Sequence, residues 1–262
     1  MNCQIKFGCV LLALLLAAPL AAQDFAVLAN PPRVVATAQP GSVHRDIIEF
    51  TNASATASTY QLRTADWTLN EEAQAVFSDD LLPNSCRPWV VIERRNIRVA
   101  PGAMYQFRFE VRVPENTPPM ECRFAIMIEG EPQMVGKGVQ IPVTGQIGII
   151  VYLAIGDAKS NLSVVSGKKV SVDGQLLPAL VISNSGKAHG RLEGFVDATD
   201  AKGKKFTLTA STTPVLAGET RTVALVKSEA SEVAQAIAFP VVLRGRVDAG
   251  EQRLDVSDLK ID

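Results

Sequence analysis

An alternation of apolar and polar positions runs through Gly138–Leu153, GVQIPVTGQIGIIVYL, with Val139, Ile141, Val143, Ile147, Ile149, Val151 and Leu153 all at odd positions. A period of two predicts a β-strand with one apolar face, and this run is longer than the average strand of about 5–6 residues. Pro142 lies inside it and cannot donate to a ladder, so the first half is expected at a sheet edge with the missing N–H on the unpaired side. An edge strand that presents alternate apolar side chains can pair with another polypeptide, which makes Val139, Ile141 and Val143 the first candidates for binding. The same pattern also fits residues that fill the protein's own core, the more natural reading for Ile147–Leu153.

Strands are predicted almost throughout the rest of the chain. Val34–Ala36, Asp46–Phe50, Thr59–Arg63, Trp89–Glu93, Tyr105–Val113 and Arg123–Glu129 are β-branched, aromatic or alternating, and Pro, Gly, Asn and Ser clusters separate them. In Tyr105–Val113, the odd positions Tyr105, Phe107, Phe109, Val111 and Val113 share one face and Gln106, Arg108, Glu110 and Arg112 the other, as in a half-buried antiparallel strand. Asp173-Gly174 predicts a hairpin between Lys169–Val172 and Leu176–Ile182, and Lys202-Gly203 another turn. Beyond the first residues, the one candidate helix is the Ala- and Glu-rich Ser228–Ala238.

Two segments recur. A strand ending at Thr51-Asn52-Ala53-Ser54 is matched by one ending at Ser183-Asn184-Ser185-Gly186, and the turn Ala100-Pro101-Gly102 by Leu216-Ala217-Gly218. Two related β-domains fit this pattern and length, with a two-sheet sandwich as the architecture expected of many short strands at 8–12-residue spacing. The polar stretch Gly156–Asn161 is the expected boundary.

The first 22 residues change the picture of the compartment. They hold one charge, Lys6, an apolar run from Phe7 to Leu16 and the small-residue end Ala17–Ala22, the pattern of a secretory signal peptide cleaved after Ala22. The run is too short for a membrane span and no cysteine stands at the cleavage point, so no lipoprotein or membrane anchor is expected. Its removal takes Cys3 and Cys9 and leaves Cys86 and Cys122, which are expected to pair in an oxidising compartment. Charge adds little: 26 Lys and Arg stand against 27 Asp and Glu, with no basic footprint for nucleic acid.

Catalytic chemistry finds little footing. Ser166-Gly167-Lys168-Lys169 lacks the first glycine and the following Ser or Thr of a phosphate-binding loop and is read as a turn. His44 and His189 stand in unrelated contexts, with neither metal-ligand spacing nor a nucleophile motif, and a lone histidine at a strand end is more often a surface residue. Neither an enzyme nor a cofactor is expected.

Several of these features occur together in one known family. The opening strand Asn30–Val34 (Asn-Pro-Pro-Arg-Val), the strand ending in Thr51-Asn52, the Ala65-Asp66-Trp67 segment, Pro88-Trp89-Val90 and the turn Val99–Gly102 stand in an order and spacing that resembles the periplasmic PapD-like chaperones of chaperone–usher pilus assembly. The resemblance implies an all-β protein of two immunoglobulin-like β-sandwich domains after the signal peptide: residues 1–22 the signal, 23–156 the N-terminal domain and 157–262 the C-terminal domain. It covers Phe25–Ile155 well and the second half weakly. It implies a pilus or fimbrial subunit as partner, with an outer-membrane usher beside it, and a periplasmic location. In that family the last strand of the first domain lends alternating side chains to a subunit that lacks its own final strand, a role that falls on Val139, Ile141 and Val143. An arginine of the first strand and a lysine of the donor strand anchor the subunit's C-terminal carboxylate. Arg33 matches the arginine, whereas Gly148 stands at the lysine position and Gly138–Leu153 contains no Lys. The rival reading is a periplasmic structural or adhesive immunoglobulin-like module without a client, followed by an enzyme accessory domain; a self-capping dimer stays open.

Overall fold

The computed structural model describes residues 25–136, 139–228 and 236–262. The predicted signal peptide, Gly138 and most of the candidate helix Ser228–Ala238 lie outside the described residues. The rest is all-β: among the described residues the helical content is one 3₁₀ turn, Arg87–Trp89.

In chain order the first half contains β1 (Val27–Asn30), β2 (Arg33–Ala38), β3 (Val43–Asn52), β4 (Ser58–Leu69), β5 (Ala75–Ser78), β6 (Val90–Ile92), β7 (Asn96–Val99), β8 (Met104–Arg112), β9 (Met120–Gly130), β10 (Gln133–Val135), β11 (Ile141–Val143) and β12 (Gln146–Ile155). One sheet has the order β1-β3-β8-β6, and the other β2-β12-β9-β4-β5 with β7 also on β4. The expected opening strand Asn30–Val34 is in fact two strands. Pro31 and Pro32 interrupt the ladder, so β1 pairs with β3 in one sheet while β2 crosses to pair with β12 in the other. Between the sheets lies a core that includes Ile48, Phe50, Phe107, Phe109, Phe124, Ile126, Val151 and Leu153. The predicted alternation in β8 holds: Phe107, Phe109 and Val111 are buried while Gln106, Arg108 and Arg112 are exposed.

The second half contains β13 (Leu162–Val172), β14 (Gln175–Asn184), β15 (Phe195–Thr199), β16 (Lys205–Ala210), β17 (Thr220–Lys227), β18 (Val241–Arg244), β19 (Arg246–Ala249), β20 (Gln252–Asp255) and β21 (Lys260–Ile261). Seven of these form one sheet, β13-β14-β17-β16-β15-β18-β21, which folds back so that Gly167 of β13 lies against Ile261 and Leu259. The two halves form a two-domain immunoglobulin-like β-sandwich fold. The predicted hairpin is present, with Val172 opposite Gln175 and both Asp173 and Gly174 at positive φ. Ser166–Lys169, expected as a turn, runs within β13; a register shift at Val165 absorbs the irregularity, and Val170 and Val172 carry the strand on.

The recurrence of Asn52 and Asn184 has a structural cause. The Asn52 Nδ2 donates to the carbonyls of Thr56, Val99 and Ala100, and the Asn184 Nδ2 to those of Ala188 and Val215. Gly102 N–H donates to the Asn52 carbonyl and Gly218 N–H to that of Asn184, at 2.8 and 2.9 Å. Each buried amide joins a strand end to the turn before the next long strand, where a glycine at positive φ closes the turn.

Candidate functional site

The alternating run does not form one continuous strand. It breaks at Thr144-Gly145 into β11 and β12, and the two halves meet opposite fates. In β12 the odd positions Ile149, Val151 and Leu153 are buried in the first core, with Ile147 at its margin. In β11 and the residues before it Val139, Ile141 and Val143 are 81%, 60% and 49% exposed. β11 pairs on one side with β10, in the register Gln133↔Val143, Met134↔Pro142 and Val135↔Ile141. Residues directly opposite share a face, so Val135, itself exposed, joins Ile141 in the same apolar patch.

The break has a visible cause. Gly130 N–H donates to the Gly145 carbonyl at 3.0 Å, and the ring of Phe25 lies over both glycines. A Cβ on either would sit about 2.5 Å from that ring. Phe25 therefore closes the end of the core at the point where the odd row passes from buried Ile149 to exposed Val143. Beyond it the pairing between β9–β10 and β11–β12 slips by one residue, from Glu129↔Gln146 to Gln133↔Val143. The extra residue is on the β9–β10 side, so the parity of the β11–β12 row is preserved.

The edge of this row is open. β2 pairs with β12 in parallel from Arg33↔Ile150 to Ala38↔Ile155, whereas among the described residues Gln146–Ile149 has only β9 beside it. β11 continues that edge, with β10 on its other side. Pro142 has no N–H, so the pair Met134↔Pro142 is a non-hydrogen-bonded one and the proline nitrogen faces outward. Arg33 marks the end of the open stretch: it is exposed, and its side chain has no hydrogen bond or ion pair with any described residue.

Solved structures similar to this chain include the class 5 fimbriae chaperone CfaA, at 10% identity over 87% of this chain and 97% of that one, TM-score 0.47. A chain of the Salmonella enterica SafA pilin–SafB chaperone complex matches at 14% identity over 89% and 97%, TM-score 0.45, and the E. coli chaperone DraB at 14% over 89% and 98%, TM-score 0.45. No family model and no curated protein matches the chain.

Gly148, at the position where the resembling family has a lysine, is filled from elsewhere. A Cβ there would lie 2.3 Å from the Phe77 ring and 2.9 Å from the Met127 sulfur. Phe77 of β5 lies across β9 and β12 and needs a residue without a side chain beneath it. The expected disulfide is present between Cys86 and Cys122, with Cα atoms 5.3 Å apart. It ties the 3₁₀ turn to β9 at the residue opposite Leu153.

Sequence reasoning missed the even face of β12. Tyr152 is buried with Trp67, Ala125, Met127 and Leu216, the last contributed by the second domain. Its ring stacks on His189 at 3.8 Å and meets Trp67 edge-on at 5.1 Å. Burial pushes the Tyr152 phenol above its ordinary pKa, so the hydroxyl stays protonated. His189, expected at the surface, is instead almost buried. Its Nδ1 lies 2.5 Å from Glu121 Oε2, which also accepts its backbone N–H at 3.1 Å. Nothing local in the sequence signals this pair; its partners are 68 residues apart.

Proposed function

We propose that this protein is a periplasmic chaperone of pilus-subunit assembly that holds an immunoglobulin-like subunit by donating an edge strand to it. The observation that carries the reading is the open edge along residues 139–149, with alternate apolar side chains exposed at Val139, Ile141 and Val143 and, at its end, Arg33, whose side chain has no hydrogen bond or ion pair among the described residues. β2 runs parallel to β12, and a client strand on the open edge in the same direction would end where β2 begins, its C-terminus at Arg33. That is the order the sequence resemblance implies, in which Arg33 takes the terminal carboxylate. Main-chain hydrogen bonds would supply the pairing and the row Val139, Ile141, Val143 would fill the client's groove. Each side chain contributes about 1.5–3 kcal/mol on full burial, before the costs of association. The predicted signal peptide supplies the route to the periplasm, and an outer-membrane usher is the expected recipient of the loaded subunit. No chemistry and no cofactor is needed.

Ile141→Asn tests the reading. The protein is expressed with its signal peptide, recovered from the periplasm, and the small subunit that accompanies it is quantified. The variant is expected to keep the melting temperature of the parent and to lose the subunit, since an amide enters an apolar groove at a cost of a few kcal/mol. An Ile141→Asn protein that unfolds, or that still captures its subunit in full, contradicts donation from this strand. A parent recovered without any small incomplete sandwich favours the structural module.

A further inference from the structure

The ribbon that carries the exposed row joins the sandwich at a double interruption. β9 ends at Gly130 and β10 begins at Gln133, while β11 ends at Val143 and β12 begins at Gln146, so both strands break side by side. Beyond the break β10 and β11 form a two-stranded sheet of their own. Glu131-Pro132 spans the gap on one side and Thr144-Gly145 on the other. Pro132 has no N–H to give, and the strands are joined here by the hydrogen bond from the Gly130 N–H to the Gly145 carbonyl. Side-chain packing does little to fix the ribbon's direction, since Met134, Val135, Val139, Ile141 and Val143 are all exposed. A two-stranded ribbon without a packed face is marginal by itself, so its orientation is set at its root.

The ring of Phe25 lies at that root and comes from the opposite sheet. The Ala26 carbonyl accepts the Ala53 N–H at 2.8 Å and Val27 stands opposite Asn52, which fixes the N-terminal segment to the end of β3. From there the ring reaches both glycines, so close that a Cβ on Gly130 or Gly145 would meet it at 2.5 or 2.4 Å. Tyr60 stands beside it, edge-on at 6.1 Å. Tyr60 is buried opposite Gly130 in the β4–β9 ladder, and its hydroxyl donates to Asn52 Oδ1 at 3.2 Å. One ring therefore holds the two strands of the break against a fixed point of the sandwich. It also fills the place in the odd row where Gly145, between Val143 and Ile147, has no side chain.

We propose that Phe25 is a positioning residue for client capture: its ring clasps the root of the β10–β11 ribbon and keeps Val139, Ile141 and Val143 in line with Ile147 and Ile149 of β12. A single client strand can then pair along the whole open edge. With the clasp released, the ribbon would turn about the Gly130–Gly145 level, and the aligned orientation would become one among several. Capture would then weaken in proportion to the fraction that stays aligned. The role in capture rests on the donor-edge reading, whereas the clasp is tested on the free protein.

The experiment measures backbone N–H residual dipolar couplings of the exported protein in a dilute aligning medium. In the parent, one alignment frame should describe the ribbon together with β9 and β12. In Phe25→Ala the couplings of Gln133–Val135, Ile141 and Val143 should fall towards zero while those of β9 and β12 keep their values; Phe25→Tyr, which retains the ring, should match the parent. Gly145→Ala, which puts a Cβ where the ring sits, should release the ribbon in the same way, and adding it to Phe25→Ala should change nothing more. Should the alanine variant not fold, Phe25→Leu, too short to cover both glycines, carries the same expectation. Recovery of the small subunit per folded Phe25→Ala protein should drop by about tenfold, the factor expected when about one molecule in ten stays aligned. Ribbon couplings that persist without the ring, a loss spread evenly over the first domain, or a harmless Gly145→Ala would each overturn the clasp. Full capture by a variant whose ribbon has come loose would remove the positioning role and leave donation through Ile141 standing. Full capture by Ile141→Asn would remove the donor edge and leave the couplings as they are.

Discussion

The two halves of the run from Val139 to Leu153 have the same sequence pattern and opposite environments. Ile149, Val151 and Leu153 are 0–1% exposed, whereas Val139, Ile141 and Val143 are 49–81% exposed. The alternation specifies a face, and the neighbours decide what that face meets. In β12 the opposite sheet supplies Phe107, Phe109 and Val111; past Gly145 the sandwich ends at Phe25, and the same face looks into solvent. A pattern that ordinarily reports a core therefore also occurs on an exposed edge.

Substitutions that separate the halves sharpen this contrast, beginning with the largest effect. Val151→Asp should abolish the folded state, because an unpaired carboxylate would enter a fully buried position; circular dichroism and thermal melting of the purified protein check it. The equivalent change at Ile141 should leave the melting curve unchanged. If both unfold the protein, the contrast between the halves is lost. Cys86→Ser comes next, at an expected cost of about 2–4 kcal/mol in chemical denaturation, since the bridge secures β9 behind β12 while touching nothing in β11. Subunit capture by the fraction still folded should be unchanged.

Gly148→Lys should cost about 1–3 kcal/mol, because the new side chain must displace Phe77. The paired change Gly148→Lys with Phe77→Ala should recover part of that loss, a non-additivity readable by a double-mutant cycle. Additive losses would mean that Phe77 is not what reserves this position for glycine. Smallest of all is Gln140→Ser, on the opposite parity from Val139 and Ile141, which should change neither stability nor capture by more than about 0.5 kcal/mol.

Much of the fold is legible in the sequence because it rests on local signals. Tyr105–Val113 alternates as a half-buried strand does, Asp173-Gly174 closes a hairpin, and the matched asparagines Asn52 and Asn184 make corresponding bonds to their turns. Cys86 and Cys122 pair, as expected of the two cysteines that lie outside the predicted signal peptide. The disagreements arise where distant residues decide. Ser166–Lys169 has the composition of a turn, yet the hairpin partner β14 holds it in a strand. His189 has no informative neighbours in sequence and acquires its role from Glu121 and Tyr152, in the other half of the chain. Phe25 and Phe77 use glycines as their seats, and a single sequence contains no sign of which aromatic ring will cover which glycine. For the candidate site, the apolar row and Arg33 are visible as residues, while the open edge that joins them depends on where β2 begins.

Pro142 has a consequence for the free protein in concentrated solution. An exposed edge with alternating apolar side chains invites identical chains to add to one another without limit. Two copies of β11 meeting antiparallel about Pro142 would each present a ring nitrogen where the partner carbonyl needs a donor, so both central hydrogen bonds would be missing. A client strand of different sequence loses only one. The same imino acid thus works against fibre formation along an exposed edge, and replacing it with valine should make the protein precipitate at lower concentration.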